Sequence, residues 1–412
     1  MYGRDSLESS RTRDRRVEFG SNIAAGALAI VALGNLVIPD VADTLIPLGY
    51  LLWTLGVLAM VLLLRLPQLS HKVASLASVV VFALTLVPGI VVHFPLVGYG
   101  AEKLQGLLIA VLVLLVPSTF RNSTSMLRRC LWLLAISAIT VAVLLVVLGA
   151  QGVHGRFSLL GLNPIASGRV ATLITVICLA LLFARKGPSR TTAVLWIGAT
   201  LGIASAALTG SRGPLVALAA SVVVLVVLLM RRRRVRRGAI VAFAFLAGSL
   251  VLVGLQSDLT PVERIFGAGD SGRTTILQEA WAVYLDNPGG VGWGSYGLVT
   301  GESIDPFARA YPHNIVLELL VEGGLVAVIG FALLVIVAFR SAANAALGSQ
   351  TVVPYVVLAV TVYAFANALS SSDIVGNRML WVALGLCLSV RYLPEIGKAG
   401  VPTARLAHGA TR

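Results

Sequence analysis

The chain contains repeated apolar runs, each about as long as a lipid bilayer is thick, with few charges inside them. A hydrocarbon core about 30 Å across takes roughly 20 helical residues. Runs of that kind occupy 20–38, 45–64, 73–92, 104–118, 127–148, 165–184, 191–208, 214–230, 238–256, 313–339, 352–370 and 377–393. Nothing in lipid can hydrogen-bond an open backbone, so each run is expected to span as a helix. The expected fold is an all-α polytopic membrane protein of about twelve transmembrane helices. Composition agrees: 57% of the residues are hydrophobic and 12% charged, too few charges to cover a soluble protein of 412 residues. Pro88 and Pro354 are expected to kink or begin helices, as bundles tolerate.

Lys and Arg set the orientation. With residues 1–19 in the cytoplasm, twelve alternating spans place 24 of the 32 basic residues inside. These include Arg4, Arg65, Arg128, Arg185 and Arg340, the run RRRRVRR at 231–237, and Arg405 in the tail 394–412. The positive-inside rule therefore supports both termini in the cytoplasm. The net charge of +14 comes from these short clusters, and 231–237 reads as a stop-transfer signal beside anionic lipid, not as a nucleic-acid patch. The Arg-rich first residues do not read as a cleavable signal. Cys130, Cys178 and Cys387 all lie in apolar runs without metal-site spacing and read as small core residues.

Between the membrane segments 20–256 and 313–393 lies residues 257–312, a 56-residue loop expected outside the cytoplasm. Long loops of ordinary composition are usually functional. Within it, TILQEAWAVYL reads as an amphipathic helix with Ile276, Ala280, Val283 and Tyr284 on one face, and NPGGVGWGSYG as a Gly-rich turn region. A partly helical, folded cap over the membrane domain is expected.

Eight basic residues fall on the outer side: Lys103, Arg156, Arg169, Arg212, Arg264, Arg273, Arg309 and Arg378. Topology does not need arginine there, and an arginine against the positive-inside gradient tends to mark a functional site. Arg212 sits in TGSRGP, a short turn between two spans, and Arg273 in GDSGRTT at the start of the loop helix. Arg156 and Arg169 flank the entrance to the span 165–184. Guanidinium groups match phosphate oxygens two at a time, so several at one face could hold a diphosphate, while any one alone reads equally as a snorkelling or loop-pairing arginine. His313, in YPHNIVLELLVEGGL, opens the span at 313–339, where a helix N-terminus favours the neutral, basic form of an imidazole. Alone it reads equally as a polar interfacial histidine. Glu318 and Glu322 follow at i and i+4 on one helix face, pointing into the bundle, either paired with the arginines or forming a cation path. Asp373 and Arg378 read as a loop salt bridge.

The order of these pieces resembles the O-antigen ligase and polymerase superfamily. An outer SRG is followed by a long loop with GR and NPGGVGWGSYG, then by HN-x-x-LELL-x-E-x-GL, clearest over residues 155–340. The resemblance implies a multi-spanning bacterial inner-membrane enzyme. Its donor would be an undecaprenyl-diphosphate-linked glycan, its acceptor a hydroxyl of lipid A core or another surface glycan, and its surroundings membrane lipid. It further implies an inverting glycosyl transfer without metal or other cofactor, and the sequence has no D-x-D-like motif. On this resemblance His313 orients or deprotonates the acceptor, Arg212 and Arg273 hold the diphosphate, and Arg156, Arg169, Glu318 and Glu322 are candidate substrate contacts. It does not separate ligase from polymerase. A flippase or other transporter shares the twelve-span layout, but no internal repeat is visible. A purely structural membrane protein would leave the one-sided His and Arg placement unexplained.

Overall fold

The computed structural model describes residues 18, 22–33, 73–93, 98–118, 123–151, 157–159, 163–184, 191–231, 273–302, 309–349, 351–371 and 373–390. In chain order the helices are α1 (Asn22–Leu33), α2 (Val73–Thr85), α3 (Val87–Val92), α4 (Gly98–Ser118) and α5 (Ser123–Leu148). After them come α6 (Pro164–Ala184), α7 (Thr191–Leu208), α8 (Arg212–Arg231), α9 (Arg273–Asp286) and α10 (Tyr296–Thr300). Helices α11 (Ile315–Gly348), α12 (Val353–Ser370) and α13 (Arg378–Val390) complete the order. Among the described residues, seven helical segments are long and apolar enough to cross a membrane, and α1, α8 and α13 are shorter apolar helices. The protein is an all-α polytopic membrane protein. The expected spans 45–64 and 238–256 lie outside the described residues; each of the other ten coincides with a helix. The one sheet among the described residues is a two-residue antiparallel ladder between β1 (Ala150–Gln151) and β2 (Phe157–Ser158).

Helix α12 is the axis of the bundle, packed against α6 and α8 on one side and α11 and α13 on the other. Side-chain hydroxyls cross between helices: Ser221 donates to the Ala359 carbonyl at 3.1 Å, Thr175 to that of Ala199 at 2.8 Å, and Thr361 to that of Ala383 at 3.2 Å. In lipid, where apolar contact alone does not favour association, such bonds and small-residue contacts hold helices together. Cys130, Cys178 and Cys387 are free and buried, as expected of core residues.

Two helix boundaries differ from those expected. Helix α4 begins at Gly98, not 104, because Glu102 and Lys103 lower the hydropathy of a segment that is nevertheless helical. Helix α11 continues to Gly348, past the expected end at 339, because the Ala-rich stretch after Arg340 keeps helix propensity after it loses membrane hydropathy.

The Gly-rich segment explains how the loop is fixed to the bundle. At Gly324 (φ 73°, ψ −178°) α11 departs from helical geometry. Just before this break, the carbonyls of Val321 and Glu322 accept the N–H groups of Val291 (2.8 Å) and Gly292 (3.0 Å). Gly290 (φ 89°) faces this break so closely that a Cβ there would lie 2.6 Å from the Glu322 carbonyl oxygen. Both positions need a left-handed backbone, which glycine adopts without steric cost. Beyond the hook, Trp293 is fully buried, and its Nε1 donates to the Leu86 carbonyl at 3.0 Å. Leu86 is the break between α2 and α3, with Pro88 in the first turn of α3. Gly89 and Gly323 make room for the indole; a Cβ on them would come within 2.7 and 2.6 Å of it. Helix α9 then packs Ala280 and Val283 against Tyr296 and Val321, the face expected from its periodicity. The described part of the loop is thus a folded cap at the end of the bundle where α11 begins, called here the loop end.

Candidate functional site

The site starts with the turn into α11. Asn314 caps the helix, its Oδ1 accepting the N–H groups of Val316 (2.9 Å) and Leu317 (3.2 Å). The residue before the cap, His313, has φ 55° and is the one non-glycine with positive φ among the described residues. Left-handed backbone on a residue with a Cβ costs about 1–2 kcal/mol and is kept where the surroundings enforce it, often at functional sites. Here the enforcing contacts are the cap, the Tyr311 ring with its centroid 4.3 Å from the imidazole, and Asn314 Nδ2, which donates to the Leu369 carbonyl at 3.0 Å.

That last bond ties His313 to the C-terminal end of α12, where other candidates gather. Arg169, half-buried on α6, donates from Nη2 to the Asn367 carbonyl at 3.2 Å, and its own carbonyl accepts the Tyr363 hydroxyl at 2.7 Å. Arg212 is the first residue of α8 and is exposed, and its neighbour Gly213 abuts Ser370; a Cβ there would lie 3.1 Å from Oγ. Gly168 presses more closely still on Thr209, where a Cβ would lie 2.6 Å from Oγ1, so the entrances of α6 and α8 are held side by side. Three candidates distant in sequence, Arg169, Arg212 and His313, therefore surround one helix end. Their positive charge complements the partial negative charge of the last α12 carbonyls. A small cleft opens beside Arg169, lined also by Tyr363, Asn367 and Asn377, with Ala32 and Leu33 from α1. Arg273 is the first residue of α9, which packs on α11 at the same end. Arg156 lies outside the described residues.

Glu318 and Glu322 are neither at the surface nor in that cleft. Both are fully buried, and so is Lys103 of α4, whose Nζ lies 2.8 Å from Glu318 Oε1 and 2.6 Å from Glu322 Oε2. The sequence reading offered the arginines as their partners; the structure assigns Lys103. The remaining Glu318 oxygen, Oε2, accepts the Ile374 N–H at 2.8 Å. One residue earlier, Asp373 Oδ2 accepts the Tyr99 hydroxyl at 2.6 Å and Oδ1 the Gly376 N–H at 2.7 Å. Arg378 donates from Nε to the Val375 carbonyl at 3.3 Å. Lys103 Nζ also sits 4.7 Å from the centroid of the Tyr99 ring. The cluster binds α4, α11 and the turn 373–377 into one unit, with Glu318 five residues after His313 in the first turn of α11.

The pairing of Lys103 with the two glutamates, Tyr99, and the acceptor role of Asp373 were missed in the sequence. One signal was available for the first: Lys103 is a cation on the side where topology does not require one, and two carboxylates inside a span need a cation. Tyr311 reports the field at the site. Burial, then Asp373 and Glu318, push its phenol up to about 12, against the opposing pull of Arg169 and Arg309. The phenol is therefore a neutral donor at ordinary pH, within reach of charges of both signs.

Residues 197–332 match a protein-family model described as O-antigen ligase. The matched segment runs from α7 to the middle of α11 and includes Arg212, Arg273, His313, Glu318 and Glu322. Arg169, Lys103 and Asp373 come from outside it, brought in by the fold. No curated protein matches the chain.

Proposed function

We propose that this chain, which belongs to the O-antigen ligase superfamily through residues 197–332, moves a glycan from an undecaprenyl-diphosphate donor to a hydroxyl acceptor at the outer face of a bacterial inner membrane. The observation that carries this reading is the gathering of Arg169, Arg212 and His313 around the end of α12, with Arg273 at the same end of the bundle. The acceptor oxygen attacks the anomeric carbon as the bond from that carbon to the diphosphate breaks, with inversion. His313 takes the hydroxyl proton. Arg212 and Arg273 neutralise the charge that accumulates on the departing diphosphate, as preorganised cations do most effectively away from bulk water. Arg169 is a lower-ranked donor to the same group. Glu318 and Glu322 act through the Lys103 cluster, which holds the turn 373–377 and α4 against the first turns of α11. The acceptor is lipid A core or another surface glycan in the ligase reading, and the next repeat unit in the polymerase reading.

The buried charges inside the spans also favour a second reading, a flippase in which Lys103, Glu318 and Glu322 line an ion path. One experiment separates these. His313→Ala, Arg212→Ala and Arg273→Ala are expressed in the native host at matched membrane levels, and surface glycan is compared with the lipid-linked pool. Transfer predicts loss of long-chain surface glycan and accumulation of the lipid-linked form at the outer face. A single repeat unit remaining on the surface indicates a polymerase; unattached long chains indicate a ligase. Accumulation at the inner face indicates a flippase. An unchanged surface glycan and lipid-linked pool in all three variants overturns the transfer reading.

A further inference from the structure

Helix α9 carries an apolar arc about twice as wide as the protein covers. At about 100° per residue, Val283, Ala280 and Tyr284 form the arc packed toward α11 and α10, with Ala280 fully buried and Ile276, half-buried, on the same face. The arc continues into Leu277, Trp281 and Leu285, spaced i, i+4 and i+8, with Thr274 between the last two around the helix. These three are 37%, 49% and 61% exposed. Only beyond them does the polar face begin, with Thr275, Gln278, Glu279 and Asp286. Leu298 and Val299 of the neighbouring α10 are exposed as well. A helix wholly in water would not keep such a surface uncovered.

What covers it follows from where α9 sits. It packs on the first turns of α11, at Leu317 and Val321. Four residues further along, just past the break at Gly324, begins a row of exposed apolar side chains, Leu325, Val326, Ile329, Leu333 and Ile336. In a helix that spans the membrane, this row faces lipid. The uncovered stripe of α9 is thus a lateral extension of the lipid-facing belt, next to its start. Amphipathic helices bind at the headgroup boundary with their apolar faces some 5–10 Å deep. Tryptophan is enriched at this level because its ring is apolar and its N–H polar.

We propose that α9 is an interfacial helix, lying in the plane of the bilayer surface with Leu277, Trp281 and Leu285 in the outer leaflet of a phospholipid bilayer. The cap is then docked on lipid as well as on the bundle, and residue 273, which opens the helix, lies at headgroup depth. This reading rests on the membrane-spanning assignment and not on the transfer reading, so either can fail alone.

The test is nitroxide accessibility on the full-length protein in phosphatidylcholine–phosphatidylglycerol nanodiscs. Single labels are placed through Leu277→Cys, Trp281→Cys, Leu285→Cys, Thr275→Cys and Ala282→Cys, all at exposed positions, with Cys130, Cys178 and Cys387 replaced by Ala. The expected result is a ratio of oxygen to nickel-chelate collision rates several-fold higher at 277, 281 and 285 than at 275 and 282. High nickel accessibility at all five positions would mean that the helix stands in water, and the proposal fails. Low accessibility to both reagents at 277, 281 and 285 would mean protein cover, by a second copy or by another part of this chain, and the proposal fails equally. A label set that prevents folding is replaced by bromolipid quenching of Trp281 fluorescence, read as the fraction of emission that Trp281→Phe removes. Quenching of that fraction supports the proposal and its absence overturns it.

Discussion

At the scale of single residues, two side chains carry opposite lessons. His313 is constrained by its backbone, and that constraint separates conformation from chemistry. Asparagine tolerates the left-handed region and lacks an imidazole, whereas valine tolerates neither the φ of 55° nor the role. His313→Asn is expected to keep thermal stability within about 1 kcal/mol of the parent and to abolish transfer. His313→Val is expected to lose both, with about 1–3 kcal/mol of destabilisation. Thermal unfolding in detergent, with glycan transfer in reconstituted membranes, checks this. Lys103 is constrained by its partners. Removing one member of a buried ionic group strands the others, so Lys103→Met is expected to cost about 3–5 kcal/mol. Adding Glu318→Gln and Glu322→Gln in the same chain is expected to recover a large part of that loss, since no carboxylate of the pair then remains uncompensated. If the triple variant is no more stable than Lys103→Met alone, the ionic account of the cluster is wrong.

At the scale of elements, the loop is attached through a break in α11, not through the cap's own helices alone. Gly324 interrupts the helix, the neighbouring carbonyls accept Val291 and Gly292, and Trp293 fills the space left by Gly89 and Gly323. Trp293→Ala removes a fully buried indole together with its hydrogen bond to Leu86. It is expected to cost about 3–5 kcal/mol, and to make the segment between α9 and α11 susceptible to protease in conditions where the parent resists. Unaltered proteolysis would show that the hook holds without its anchor. The amphipathic face of α9 and the Gly-rich turn region were both visible as patterns of spacing. That the turn region is a docking strand for a broken membrane helix was not, because a glycine's neighbours across space leave no trace in its own segment.

At the scale of the whole molecule, the described helices bring the ends carrying Arg169, Arg212, Arg273 and His313 to one side of the bundle, as alternate spans require. The positive-inside reading puts that side outside the cytoplasm. A membrane-impermeant maleimide is expected to label Asp286→Cys, at the exposed end of α9, in intact spheroplasts, and to label Lys186→Cys only after lysis. The reverse pattern would invert the topology. The span pattern, the positive-inside alternation, the folded loop and the identity of His313, Arg212 and Arg273 as candidates were all legible in the sequence. Each is a local property: hydropathy over one helix length, charge counted loop by loop, or a motif of adjacent residues. Tertiary structure alone decided that the end of α12 is the meeting point of Arg169, the Arg212 turn and His313. It alone decided that Glu318 and Glu322 turn away from them to Lys103, and that Asp373 takes the Tyr99 hydroxyl. Those pairings join residues up to 274 positions apart, and which helices become neighbours depends on packing summed over the bundle, a quantity that no single segment encodes.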